Sequence, residues 1–173
     1  MPRRHPTPSA KIPLKETLEA FDTLMSTGKI RNWGVTNFDV DDMEELIALS
    51  GGDEVATDQV LYNLQHRGIE FDLLPWCERQ GVPIMAYSPI EQGRILDHPM
   101  LKSLAAKHEA RPAQIALAWV LAKRQCLRDP AGEQACPRAG KSRRARFHLS
   151  TVDLAELDRG FPPPTHKEPL AVH

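Results

Sequence analysis

Three times between residues 13 and 88 the chain passes through one cycle: an amphipathic helical segment, a glycine, then a short apolar stretch ending in polar residues. In "IPLKETLEAFDTLMSTGKI", Leu14, Leu18, Phe21, Leu24 and Met25 recur at helical spacing, with Pro13 suited to the first turn and Gly28 to the stop. "IRNWGVTNF" then has strand character and closes on Thr36 and Asn37. In "DVDDMEELIALSGG", Asp39 is placed to cap a helix, Asp41 and Asp42 favour its positive end, and Gly51 closes it.

"VATDQVLYNL" is the next strand, with Asp58, Gln59 and Asn63 as buried polar candidates. Asp72 can cap a helix over "FDLLPWCERQG", where Pro75 falls in the first turn and its missing N–H costs little. "VPIMAYSP" is nearly all apolar, as expected of a strand in a parallel sheet covered by helices. A helix around Leu101–His108 and another from Pro112 complete the ordered run.

Repeated helix–strand cycles with short connections predict a β/α architecture. In such folds the carboxyl ends of the strands carry the chemistry. No G-x-G-x-x-G, P-loop, H-E-x-x-H or G-x-S-x-G occurs. A net charge of -1 gives no electrostatic reason to expect nucleic acid or a membrane surface. No apolar run has bilayer length, and the basic start "MPRRHPTPSAKIP" lacks the apolar core of a secretory signal. Cys77, Cys126 and Cys136 are odd in number and lack metal-ligand spacing, which suits a reducing compartment, so a cytoplasmic location is expected.

Five stretches, "GKIRNWGVTNF", "QVLYNLQHRGIEFDLLPWC", "GVPIMAYSPIEQGRIL", "PAQIALAWVLA" and "LAELDRGFPPPT", together resemble the aldo/keto reductase family, in its order and at its spacing. The likeness is to small bacterial reductases of aldehydes such as methylglyoxal. It implies a TIM (β/α)8 barrel and hydride transfer from NADPH to a small carbonyl substrate, an aldehyde or ketone. It further implies that Thr36, Asn37 and Gln59 hold the nicotinamide amide, and that Tyr87 stacks on the ring. Ser88, Ile90 and Gln92 would lie in the loop wrapping the pyrophosphate. A flat, amide-bearing ring held close to a carbonyl carbon needs two or three hydrogen-bonding side chains and one stacking face. Taken singly, Asn37 also reads as a turn or capping residue, Tyr87 as core packing, and Gln59 as a partner for a backbone group. Trp33, Trp76 and Trp119 read as packing residues, and His66 and Arg67 as a solvated loop.

The family's proton donor is a tyrosine tuned by a lysine and an aspartate, because an unperturbed tyrosine, with a pKa of about 10, donates poorly. Those residues belong to the first half of the family barrel. Here the tyrosines are Tyr62 and Tyr87, both inside second-half motifs. The resemblance thus implies the C-terminal half only, about strands five to eight, with residues 12–165 as a partial barrel domain, 1–11 a disordered start and 166–173 a tail. His5 is a weak candidate for the histidine that orients substrate, one residue out of register. Such a fragment is expected to be inactive and to self-associate, since a half-barrel leaves unpaired edges, whereas full-length relatives are expected to be monomers. A non-catalytic NADP(H)-binding or interaction module is the alternative reading.

Periodicity vanishes at "QCLRDPAGEQACPRAGKS" and returns near Phe147. One permissible codon set for Cys126–Ser142, read one nucleotide later, yields Ala-Cys-Ala-Ile-Pro-Gln-Ala-Ser-Lys-Arg-Ala-Arg-Gly-Arg-Glu-Asn. That resembles the family's eighth strand and the Arg-Glu-Asn helix start that clamps the cofactor's 2′-phosphate. A compensated frameshift over 125–146 is the favoured reading, and a diverged surface loop the other. The nucleotide sequence over these codons decides between them: a shifted frame encoding Ile-Pro is expected, and its absence leaves the diverged loop.

Overall fold

The computed structural model describes residues 12–123, the backbone of 126–128, and residues 148–172. Its centre is a four-stranded, all-parallel sheet in sequence order, formed by β1 (Val35–Thr36), β2 (Asp58–Leu61), β3 (Ile84–Tyr87) and β4 (Cys126–Arg128). Helices α1 (Leu14–Ser26), α2 (Val40–Ile47), α3 (Leu73–Gln80), α4 (Pro99–Lys107), α5 (Pro112–Ala122) and α6 (Thr151–Gly160) accompany it. Parallel neighbours need a crossover between them, and α2 and α3 supply the first two. This is the α/β architecture that the alternating pattern predicts. Among the described residues no helix is long and apolar enough to cross a membrane.

Local chemistry explains the helix starts. Asp39 and Asp42 form a reciprocal capping box at α2, Asp42 N–H donating to Asp39 Oδ1 at 3.0 Å and Asp39 N–H to Asp42 Oδ2 at 3.1 Å. Asp72 accepts from the Leu73 N–H at 2.7 Å to open α3, and Ser150 caps α6 with Asp153 in the same reciprocal way. The buried faces of these helices join one core, in which Trp119, Tyr62, Met43, Leu46 and Leu64 are among the largest enclosed side chains. Trp33 and Trp76 are buried too, as expected of packing residues. β3 is less uniformly enclosed than its composition predicts: Ile84 and Ala86 are buried, while Met85 and Tyr87 on the other face are partly open.

Two expectations are revised. His66 and Arg67 read as a solvated loop, yet Arg67 is buried. Its guanidinium donates to Glu70 at 3.0 and 2.8 Å, to Asp158 on α6 at 2.7 Å and to the Phe161 carbonyl, and it lies 5.0 Å from the Trp119 ring. A buried cation is tolerable when its donors find acceptors, and here three residues, Glu70, Asp158 and Phe161, provide four. Within the stretch lacking periodicity, Cys126–Arg128 pairs with β3 in the register Ile84↔Cys126, Met85↔Leu127 and Ala86↔Arg128. Main-chain pairing needs no side-chain pattern, so so short a strand leaves no periodic trace. The rest of 125–146, and residues 1–11 with His5, lie outside the described residues.

Gly34 fixes the spacing of β1 and β2. A Cβ there would stand 2.7 Å from the Thr57 carbonyl oxygen and 2.8 Å from the Thr57 methyl carbon. Gly34→Ala must therefore push β1 outward, and it is expected to lower stability by about 2 kcal/mol, the usual scale of overpacking. Denaturant unfolding of the variant, compared at equal m-value, measures this.

Candidate functional site

The register brings the expected residues to one edge of the sheet. Thr36 on β1 faces Gln59 on β2, and Tyr87 at the end of β3 faces Leu61. The Gln59 carbonyl accepts twice, from Thr36 Oγ1 at 2.9 Å and from the Asn37 N–H at 2.9 Å. Asn37 follows β1 in the left-handed region at φ 57°, a conformation that asparagine tolerates better than most residues. The Tyr87 hydroxyl donates to Asn37 Oδ1 at 3.3 Å, leaving the amide's NH2 as its donor end. Thr36 is exposed, and Asn37, Gln59 and Tyr87 are half-buried, so hydroxyl, amides and one aromatic ring converge at the surface of the strand ends.

Behind Tyr87 the chain turns sharply. Ser88, Glu91 and Gln92 all have positive φ, at 49°, 50° and 52°, and Gly93 follows at 90°. Non-glycine residues hold such angles only where the surroundings compensate. Asn63 provides the compensation, donating to the Ser88 carbonyl at 2.9 Å and to Glu91 Oε2 at 2.8 Å. Buried Glu91 also receives Arg94 Nη1 at 3.2 Å and lies 3.4 Å from His66 Nε2. Asn63 Oδ1 meanwhile accepts the Gln65 and His66 N–H groups at 2.8 and 3.0 Å, tying the loop after β2 to the loop after β3. Ile90 is half-buried against the core, and exposed Gln92 accepts from Arg94 at 3.0 Å. Glu91 carries no signal in the sequence that separates it from its solvated neighbours. Asn63 stands out only as a polar residue in an apolar run.

Asp58, immediately before Gln59, is fully enclosed, and among the described residues no side chain donates to its carboxylate, which only the Phe38 N–H faces. Burial, with the charge of Asp42 added, pushes its carboxyl up to about 8, against the pull of the Phe38 N–H. Glu70 shows the contrast. Burial would raise it, but hydrogen bonds from Arg67 and Tyr62 hold it below the ordinary carboxylate range. Because Asp58 binds its proton more tightly folded than unfolded, folding takes up a proton. Stability therefore declines from about pH 4 toward pH 8 and levels off above.

The C-terminal residues lie across this end of the fold. Lys167 Nζ pairs with Asp72 at 3.3 Å, Leu170 packs on the core, and a cavity of about 380 Å3 opens between Asp39, His66, Asp72 and residues 167–171. The amides of Asn37 and Gln59, the Thr36 hydroxyl and the Tyr87 ring lie at the strand ends with the turn at 88–93 beside them, outside the lining of that cavity. Both tyrosine hydroxyls are engaged: Tyr62 is buried and donates to Glu70 at 2.6 Å, and Tyr87 donates to Asn37.

A profile of the Aldo/keto reductase family matches residues 5–159. Methylglyoxal reductase YeaE of Escherichia coli K12 is 41% identical over 167 residues, covering 94% of this chain and 59% of that protein. Glyoxal reductase of Bacillus subtilis 168 is 32% identical over 151 residues, covering 83% of this chain and 51% of the relative. The crystal structure of an aldo/keto reductase from Klebsiella pneumoniae in complex with NADP and acetate superposes with a TM-score of 0.83 at 38% identity, over 95% of this chain and 60% of that one. The chain thus spans little more than half the length of the proteins it resembles.

Replacing Asn63 removes two donors at once. Asn63→Ala leaves the Glu91 carboxylate and the Ser88 carbonyl short of partners, at an expected cost of about 2–3 kcal/mol. Thermal unfolding measures the loss, and faster amide exchange confined at first to residues 88–93 locates it.

Proposed function

The chain belongs to the aldo/keto reductase family, and from this premise we propose that it is the cofactor-holding part of an NADPH-dependent reductase of small aldehydes or ketones. Its four parallel strands would be about strands five to eight of a (β/α)8 barrel, residues 12–165 forming the partial domain and 166–173 its tail. The observation that carries the reading is the convergence of Thr36, Asn37, Gln59 and Tyr87 at one edge of the sheet, joined by the Tyr87–Asn37 hydrogen bond. An amide acceptor and donor pair, a hydroxyl and a half-buried ring match the two chemical features of a nicotinamide, its carboxamide and its face.

When bound, the cofactor supplies the hydride that reduces a carbonyl carbon. The residues of this chain bind and orient. Asn37 and Gln59 present side-chain amides complementary to a carboxamide, and Thr36 adds a hydroxyl. The Tyr87 ring offers one face, so that only the other is left open to substrate. The turn at Ser88, Ile90 and Gln92 offers backbone N–H groups to phosphate oxygens, its angles held by Asn63 and Glu91. No tyrosine here is placed as a proton donor, since both hydroxyls serve the fold. The 173 residues taken alone would thus bind NADPH without turning it over, and the strand edges favour self-association.

Titration of the purified chain with NADPH, followed by nicotinamide fluorescence, tests the reading. Binding is expected, weakened about tenfold in Asn37→Ala, the scale of one or two lost hydrogen bonds. No NADPH consumption is expected with methylglyoxal. Absence of binding sinks the cofactor assignment, and turnover that survives purification yet disappears in Asn37→Ala sinks the assignment of inactivity.

A further inference from the structure

The buried carboxylates behind the site are not alike. Glu91, Glu70 and Asp153 each face donors: Asn63 and Arg94, Arg67 and Tyr62, and Lys107 and Ser150 respectively. Asp58 is fully enclosed, and among the described residues no side chain donates to it, only the Phe38 N–H facing its carboxylate without a full hydrogen bond. Buried polar atoms are nearly always satisfied, so a carboxyl left without a side-chain donor invites a functional explanation.

Its position suggests one. Strand alternation turns Asp58 to the face opposite Gln59, away from the converging amides and toward the start of α2. The groups that face it are the Phe38 N–H and the carboxylate of Asp42. Strand neighbours Val35 and Ile84 bring no charge. Asp42 is itself committed, through Asp39, to the capping box that begins α2. Between them run Thr36, Asn37 and Phe38, the turn in which Asn37 is held left-handed.

A neutral Asp58 sits quietly behind this turn. An ionised one, in a dry site, repels Asp42 across the box and draws on the Phe38 N–H at the same time. Both forces act on the segment that sets the direction of the Asn37 amide.

We propose that Asp58 is the positioning residue of the β1–α2 turn, neutral when the turn holds the nicotinamide end of the cofactor and, once ionised, displacing Asn37 and releasing it. This rests on the assignment of Thr36 and Asn37 to the cofactor amide. The device couples cofactor retention to proton concentration through a residue that touches neither cofactor nor substrate.

Two readouts on the full chain test it. The first needs no cofactor: hydrogen exchange of the Asn37 and Phe38 amides, corrected for intrinsic rates, across the pH range around 8. Opening is expected to rise through that range in the parent chain, to stay flat in Asp58→Asn, and to rise less in Asp42→Asn, where the charge that ionised Asp58 would repel is gone. The second is NADPH affinity over the same range. It is expected to weaken roughly tenfold with rising pH in the parent and by less than about twofold in Asp58→Asn, a difference of one decade per 1.4 kcal/mol. Binding of ADP-ribose, which lacks the nicotinamide but keeps the pyrophosphate assigned to the turn at 88–93, is expected to stay flat in both.

Exchange that is flat in the parent, or identical in parent and Asp42→Asn, overturns the positioning role even if Asp58→Asn fails to fold. A pH-dependent turn with no NADPH binding at any pH overturns the cofactor assignment instead. An affinity for ADP-ribose that falls as much as that for NADPH overturns the link between the turn and the nicotinamide.

Discussion

At Gly34 the chain leading into β1 approaches that leading into β2 so closely that a side chain has no room, and the pairing of Thr36 and Asn37 with Gln59 depends on that contact. With the strands this close, the Val35 N–H reaches the Thr57 carbonyl at 3.0 Å and the Asn37 N–H reaches that of Gln59 at 2.9 Å. These two bonds fix the register that sets Thr36 beside Gln59. They also end β1 after two residues, because Asn37 must leave the extended conformation to let Asp39 cap α2. A parallel strand so short is held by its neighbour's backbone rather than by its own side chains. Its direction is therefore a property of the pair.

The loop after β2 carries the second constraint. Within Asn63–Glu70 it holds two polar knots that point to different parts of the chain. Asn63 reaches forward to Ser88 and Glu91, while Arg67 reaches to Asp158 and Phe161 on and after α6. The turn beside the site and the C-terminal helix thus share one support. Removing a single partner from such a knot leaves a buried charge or carbonyl uncompensated, which costs more than the intact network contributes. The chain is consequently less tolerant of polar substitution here than at its apolar core, where volume-conserving exchanges repack.

Much of this was readable in residue order, for physical reasons that differ by element. α2 and α3 are marked by Asp39 and Asp72, because a capping carboxylate is a local device with a local signature. The strand bodies are marked by β-branched and apolar runs, and Thr36, Asn37 and Tyr87 by their place at the ends of those runs. Arg67 was illegible: its acceptors Asp158 and Phe161 lie more than ninety positions away, so nothing adjacent distinguishes it from a solvated cation. Glu91 was illegible for the same reason, since its donor Asn63 belongs to another strand end. β4 left no periodic trace because it has three residues and needs backbone partners alone. Burial by distant chain is what a single sequence conceals.

Asp58 tests how far such an argument reaches. Its enclosure follows from its strand, but a buried aspartate with no side-chain donor among the described residues is a poor structural choice: an asparagine of the same shape would carry no charge to desolvate. The unfavourable choice lies one residue from Gln59 and faces the N–H of Phe38, which follows Asn37, rather than lying at random in the core. Its ordinary pKa would leave it charged at neutral pH, and burial reverses that. A group whose protonation is reversed by its surroundings weakens the fold progressively as pH rises from about 4 toward 8. It contributes a dependence on pH, located at the turn whose angle aims the amide. That placement makes Asp58 a component of the site even though it faces away from it.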